Sequence, residues 1–117
     1  MLHPGPTPVR LTQEEKSLIR DGIEKVFKNL GVSCEEISLF GSRTQMNAKG
    51  GDIDLYIRFK PTSKPLDEWG LKAKIKIALN DLLGEQKIDI VLDDMQKDLG
   101  AFGKLIQNQK VELWKKN

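Results

Sequence analysis

An α+β fold, a small mixed sheet with helices packed on one face, is what this sequence predicts, and three observations carry the prediction. Segments with apolar residues at helical spacing alternate with short β-prone runs. One of those runs alternates strictly between apolar and polar residues. The chain has 117 residues, enough for one domain with one core.

Residues 1–10 carry three prolines and a glycine, which removes backbone donors and helical geometry, so a loose arm precedes a single domain over residues 11–117. Thr12 followed by Glu15 is a capping-box pattern, and Leu18, Ile19, Ile23, Val26, Phe27 and Leu30 repeat at helical spacing before Gly31 stops the helix. Ile37 to Phe40 reads as a first strand, ended by Gly41 and Ser42. From Asp52 to Phe59 the second strand places Ile53, Leu55, Ile57 and Phe59 on one face and Asp52, Asp54, Tyr56 and Arg58 on the other. Leu71, Ile75, Ala78, Leu79 and Leu82 mark a helix ending at Gly84. A third strand follows over residues 87–92, with Asp89 pointing away from Ile88 and Ile90. A helix near residues 97–107 and a short strand near 111–114 close the chain.

Composition excludes several classes of function. Nineteen Lys and Arg against 17 Asp and Glu leave a formal charge of +2, too weak a field to indicate direct nucleic-acid binding. No apolar run approaches the ~20 residues that cross a bilayer, and the start lacks the charged and apolar regions of a signal peptide, so no membrane partner is expected. The one cysteine, Cys34, cannot form an internal disulfide, and a cytoplasmic location is expected.

The chemistry concentrates on the face opposite the core. Asp52 and Asp54 lie about 6.6 Å apart along their strand. With Asp89 on a neighbouring strand in register, each pair repels by ~2.5 kcal/mol at an effective dielectric constant of ~20. Solvent exposure, a protonated carboxyl group or a bound cation would relieve that repulsion. Aspartate is disfavoured in strands, so exposure alone explains little. A hard divalent cation such as magnesium, as one ion or two, suits three carboxylates and keeps room for water and phosphate. In the preceding loop, Gly41 permits close backbone approach, Ser42 can donate a hydroxyl hydrogen bond, and Arg43, with Lys49, could add positive charge for an anion. Metal on one side and phosphate on the other describe a phosphoryl- or nucleotidyl-transfer site. Each piece alone has a plainer reading: a turn for Gly41-Ser42, a strand cap for Asp52 and Asp54, an anti-aggregation charge for Asp89.

Together, "GSR" at 41–43, "GGDIDLYI" at 50–57 and "KIDIVL" at 87–92 resemble, in order and spacing, the minimal nucleotidyltransferases of the DNA polymerase beta superfamily. The resemblance implies the nucleotidyltransferase fold, with Gly41, Ser42 and Arg43 on the nucleotide phosphates and Asp52, Asp54 and Asp89 as the catalytic and magnesium-binding carboxylates. Asp89 would help the metals or activate the acceptor hydroxyl. It further implies transfer of a nucleoside monophosphate, AMP from ATP, to a hydroxyl on a partner protein, and an antitoxin role beside a small helical toxin of the HEPN class. The loop "TQMNAKGG" at 44–51 departs from the family, with Gln45 and Met46 where many relatives carry a further arginine and glycine. Phe102, Leu105, Ile106 and Trp114 are candidates either for the partner interface or for the core, and Trp69 and Trp114 for core or interface anchors. Two other readings stay open: a non-catalytic antitoxin that binds nucleotide or partner and acts by docking alone, and transfer to a small molecule.

Overall fold

The computed structural model describes residues 12–40, 52–60, 62, 66–84, 87–96 and 98–116. In chain order the elements are α1 (Gln13–Leu30), β1 (Cys34–Leu39), β2 (Asp52–Phe59), α2 (Glu68–Leu83), β3 (Lys87–Asp93), α3 (Gly100–Gln109) and β4 (Val111–Lys115). The first helix begins as the sequence predicts. The Thr12 hydroxyl accepts the Glu15 N–H, and the Glu15 carboxylate accepts the Thr12 N–H, both at 3.0 Å. It ends at Gly31, whose φ of 71° lies in the left-handed region that glycine enters without a Cβ clash.

The four strands form one mixed sheet in the order β3-β2-β1-β4. β1 is antiparallel to both β2 and β4, while β2 and β3 run parallel with α2 in the crossover between them. Ile37, Leu39, Ile53, Leu55, Ile57, Phe59, Ile88, Ile90 and Leu92 send their side chains to one face. There they meet Ile19, Ile23 and Phe27 of α1 and Leu71, Ile75 and Leu79 of α2. The two helices approach closely at Gly22, where an added Cβ would meet Leu82 Cδ1 at 3.1 Å and Leu79 Cδ2 at 3.2 Å.

β1 starts three residues before the expected Ile37, because a bulge interrupts its alternation. Cys34 pairs with Phe59 and Glu36 with Arg58, which leaves Glu35 as the extra residue. The bulge lets Cys34 and Ile37 both face the core while Glu36 and Ser38 turn to the opposite face. α3 starts at Gly100, inside the expected range of 97–107, and runs on to Gln109. Ile106 is fully buried outside the main cluster, and the residue after the helix, Lys110, reaches Glu36 on the second face of the sheet.

Candidate active site

The second face of the sheet holds the candidate chemistry, and strand register fixes its layout. Asp54 of β2 is paired with Asp89 of β3, and Asp52 with Lys87. Because Ile53, Leu55, Ile88 and Ile90 occupy the core face, Asp54 and Asp89 stand side by side on the other, with backbones about 5 Å apart. On the opposite side of β2, the antiparallel register places Leu39 opposite Leu55 and continues to Phe40, whose N–H donates to the Asp54 carbonyl at 3.1 Å. Phe40, Asp54 and Asp89 thus form a row across three structural segments, at the C-terminal end of β1 and near the start of β2.

The sequence-predicted residues divide accordingly. Asp54 is half-buried and Asp89 exposed. The backbone of Asp52 opens β2, and its side chain lies outside the described residues, as do Gly41, Ser42 and Arg43. Among the described residues, no three His, Cys, Asp or Glu side chains converge into a metal-binding group. The described donor set is therefore two aspartates on adjacent strands. Hard oxygen ligands of this kind suit magnesium, which is held by one or two carboxylates with waters and substrate phosphates completing its shell. The residues present fit such an ion.

Farther along the same face lies a buried polar network that the sequence reading did not single out. Glu36 is 1% exposed and Ser38 fully buried. The Ser38 hydroxyl and the Lys110 ammonium each donate to Glu36 Oε2 at 2.6 Å, and Arg58 Nη2 lies 3.4 Å from Oε1. Burial alone would raise the Glu36 pKa. The hydrogen bonds from Lys110 and Ser38, with the charges of Lys110 and Arg58, outweigh it and hold the carboxyl below its ordinary value. Tyr56, also buried, donates its hydroxyl to Asp93 of β3, and Lys110 Nζ sits 5.3 Å from the centre of the Tyr56 ring. Burial, and then the hydrogen bond to Asp93, push the Tyr56 phenol upward, so it stays protonated. The nearest sequence signal was Glu36 and Ser38 at alternate positions of β1; Lys110 is 74 residues away from Glu36.

The apolar candidates also separate. Ile106 is buried and Trp114 packs against the core, while Phe102 and Leu105 are 46% and 48% exposed. Trp69, on α2, is 86% exposed. Cys34 lines an open groove of ≈ 430 Å³ with Phe27, Val32 and Trp114, at the other end of β1 from Phe40. Burial pushes its thiol up to about 12, which leaves it protonated and poorly nucleophilic.

No protein-family model and no curated protein matches the sequence. Solved structures do match in fold. The chain is similar to the crystal structure of the toxin–antitoxin MntA–HepT, with 20% identity, coverage of 86% of this chain and 73% of that one, and a TM-score of 0.51. A structure of the toxin–antitoxin with AMP-PNP gives 22% identity, coverage of 83% and 73%, and a TM-score of 0.52. A protein from Shewanella oneidensis gives 18%, 91% and 74%, with a TM-score of 0.55. At this identity the likeness is one of fold: this α+β domain has the architecture of the minimal nucleotidyltransferase MntA.

Proposed function

We propose that this protein is a magnesium-dependent nucleotidyltransferase that moves AMP from ATP to a hydroxyl on a partner protein, serving as the antitoxin of a HEPN-type toxin. The observation that carries the reading is the pairing of Asp54 with Asp89 on adjacent parallel strands of a nucleotidyltransferase fold. A neighbour of that fold was solved with AMP-PNP, and neighbours were solved as toxin–antitoxin complexes, which supports both the nucleotide and the partner.

In this reading Asp52, Asp54 and Asp89 would hold magnesium, two ions, which supplies charge neutralisation for the triphosphate and the departing pyrophosphate. Gly41, Ser42 and Arg43 are assigned to the phosphates from the resemblance of their motif to the minimal nucleotidyltransferases. The acceptor hydroxyl oxygen bonds to the α-phosphorus as the bond from that phosphorus to the bridging oxygen breaks and pyrophosphate leaves. Asp89, the exposed member of the row, is assigned to accept the hydroxyl proton. The buried Glu36–Lys110 network is charge-paired within itself.

The test incubates the protein with its HEPN-type partner, magnesium and ATP labelled at the α-phosphate, beside the Asp54→Asn variant. Label on the partner with the intact protein, lost by at least a hundredfold in the variant, is the expected result. If the partner is silenced with no label transferred, and Asp54→Asn silences it equally well, a docking-only antitoxin replaces the enzyme.

A further inference from the structure

We propose that Phe40 and Phe102 form the platform on which the nucleobase of the bound nucleotide stacks; this rests on the reading of the aspartate row as a nucleotide site. A nucleotide is chemically two-sided, with charged phosphates at one end and a flat, weakly polar base one ribose away. The surface beside Asp54 has the same two chemistries next to each other. On one side of Asp54 stands Asp89, and on the other stands Phe40, joined to Asp54 by the 3.1 Å backbone hydrogen bond. Directly opposed residues on neighbouring antiparallel strands have Cβ atoms about 5 Å apart, so the Phe40 side chain starts beside that of Asp54.

Phe40 is not part of the core cluster. Its ring instead meets that of Phe102, from the first turn of α3, at 6.1 Å between centroids and 81° between planes. Such an edge-to-face contact occupies one face of one ring and leaves the faces of the other available. Phe102 remains 46% exposed, and Leu105, three residues farther along α3, extends the apolar surface at 48%. An aromatic pair with the Phe102 ring nearly half open to solvent, next to hard oxygen donors, has the makings of a base-stacking surface. Phenyl rings offer a π-face and no hydrogen-bonding group, so this platform favours the larger purines over pyrimidines without distinguishing adenine from guanine.

Equilibrium binding of ATP and of inorganic tripolyphosphate, each with magnesium, to the intact protein and to Phe102→Ala, Phe102→Trp and Asp54→Asn tests the assignment. Phe102→Ala is expected to weaken ATP by about 5- to 150-fold, the range that loss of one base–aromatic stack produces. It should leave tripolyphosphate, which has no base, unchanged. Phe102→Trp should restore ATP binding, and Asp54→Asn should weaken both ligands. ATP affinity unaltered by Phe102→Ala overturns the platform, as does an equal loss for ATP and tripolyphosphate, which would make Phe102 only a prop for α3. Failure of the intact protein to bind either ligand removes the nucleotide site itself, and the platform with it.

Discussion

Asp54 and Asp89 are paired on neighbouring strands, and like charges held at the ~5 Å strand spacing would repel. At that distance Coulomb repulsion is about 3 kcal/mol at an effective dielectric constant of 20 and about 1 kcal/mol in water. Asp89 is exposed, so solvent and salt screen the pair toward the lower figure. Asp89→Asn keeps the shape of the side chain and removes the repulsion. Without metal it is expected to raise stability by about 1 kcal/mol, read as a higher urea midpoint in EDTA at unchanged slope. A comparable loss instead would show that the Asp89 carboxylate makes a structural bond. This pairing was half legible in the sequence. The alternation in "KIDIVL" put Asp89 away from the core, and the structure bears that out, but which strand lies beside it is decided by the crossover through α2 and not by any local pattern.

The strand and helix elements show where reading by periodicity succeeds and where it stops. α1, with its capping box and Gly31, and β2, with its strict alternation, lie where local chemistry puts them. The start of β1 was missed because Cys34-Glu35-Glu36 looks polar, and the bulge that turns Cys34 inward breaks the two-residue period. Burial of Glu36 was invisible because Lys110, which neutralises it, lies 74 residues away, just past α3. That ion pair yields a prediction about the element it fastens. Lys110→Met leaves the buried carboxylate short of its strongest partner, and a loss of about 3 kcal/mol is expected at neutral pH. The sign of the pH dependence follows from the lowered Glu36 pKa. In the native protein the group contributes stability above its ordinary value of 4.5, and that contribution drains away as pH falls through the lowered native value. In Lys110→Met burial dominates, so protonation of Glu36 assists folding. The deficit of the variant relative to the intact protein should therefore shrink between about pH 6 and pH 3. Urea midpoints across that range check it, and a deficit that stays constant would mean that Lys110 acts through packing alone.

On the scale of the whole molecule, the sheet separates two tasks. One face is covered by α1 and α2 around an apolar core, and no described helix is long and apolar enough to cross a membrane. The other face is divided along its strands: the Glu36, Arg58, Asp93 and Lys110 charges balance one another at one end, while Asp54 and Asp89 stand side by side at the other. That asymmetry predicts how the domain responds to cations. A ligand that binds only the native state adds stability as the logarithm of its concentration over Kd, about 2.7 kcal/mol at a hundredfold excess, which raises the melting temperature by about 10 °C in a domain of this size. Magnesium chloride should produce such a rise. Sodium chloride at equal ionic strength should produce much less, because diffuse screening recovers only the part of the repulsion that salt can reach. In Asp54→Asn, Asp89→Asn together, the magnesium-specific part of the rise should vanish, whereas the Lys110→Met variant, weakened at the balanced end of the face, should keep it. Equal shifts with the two salts in the intact protein would show that the aspartates are merely screened, and the row would lose its standing as a cation site.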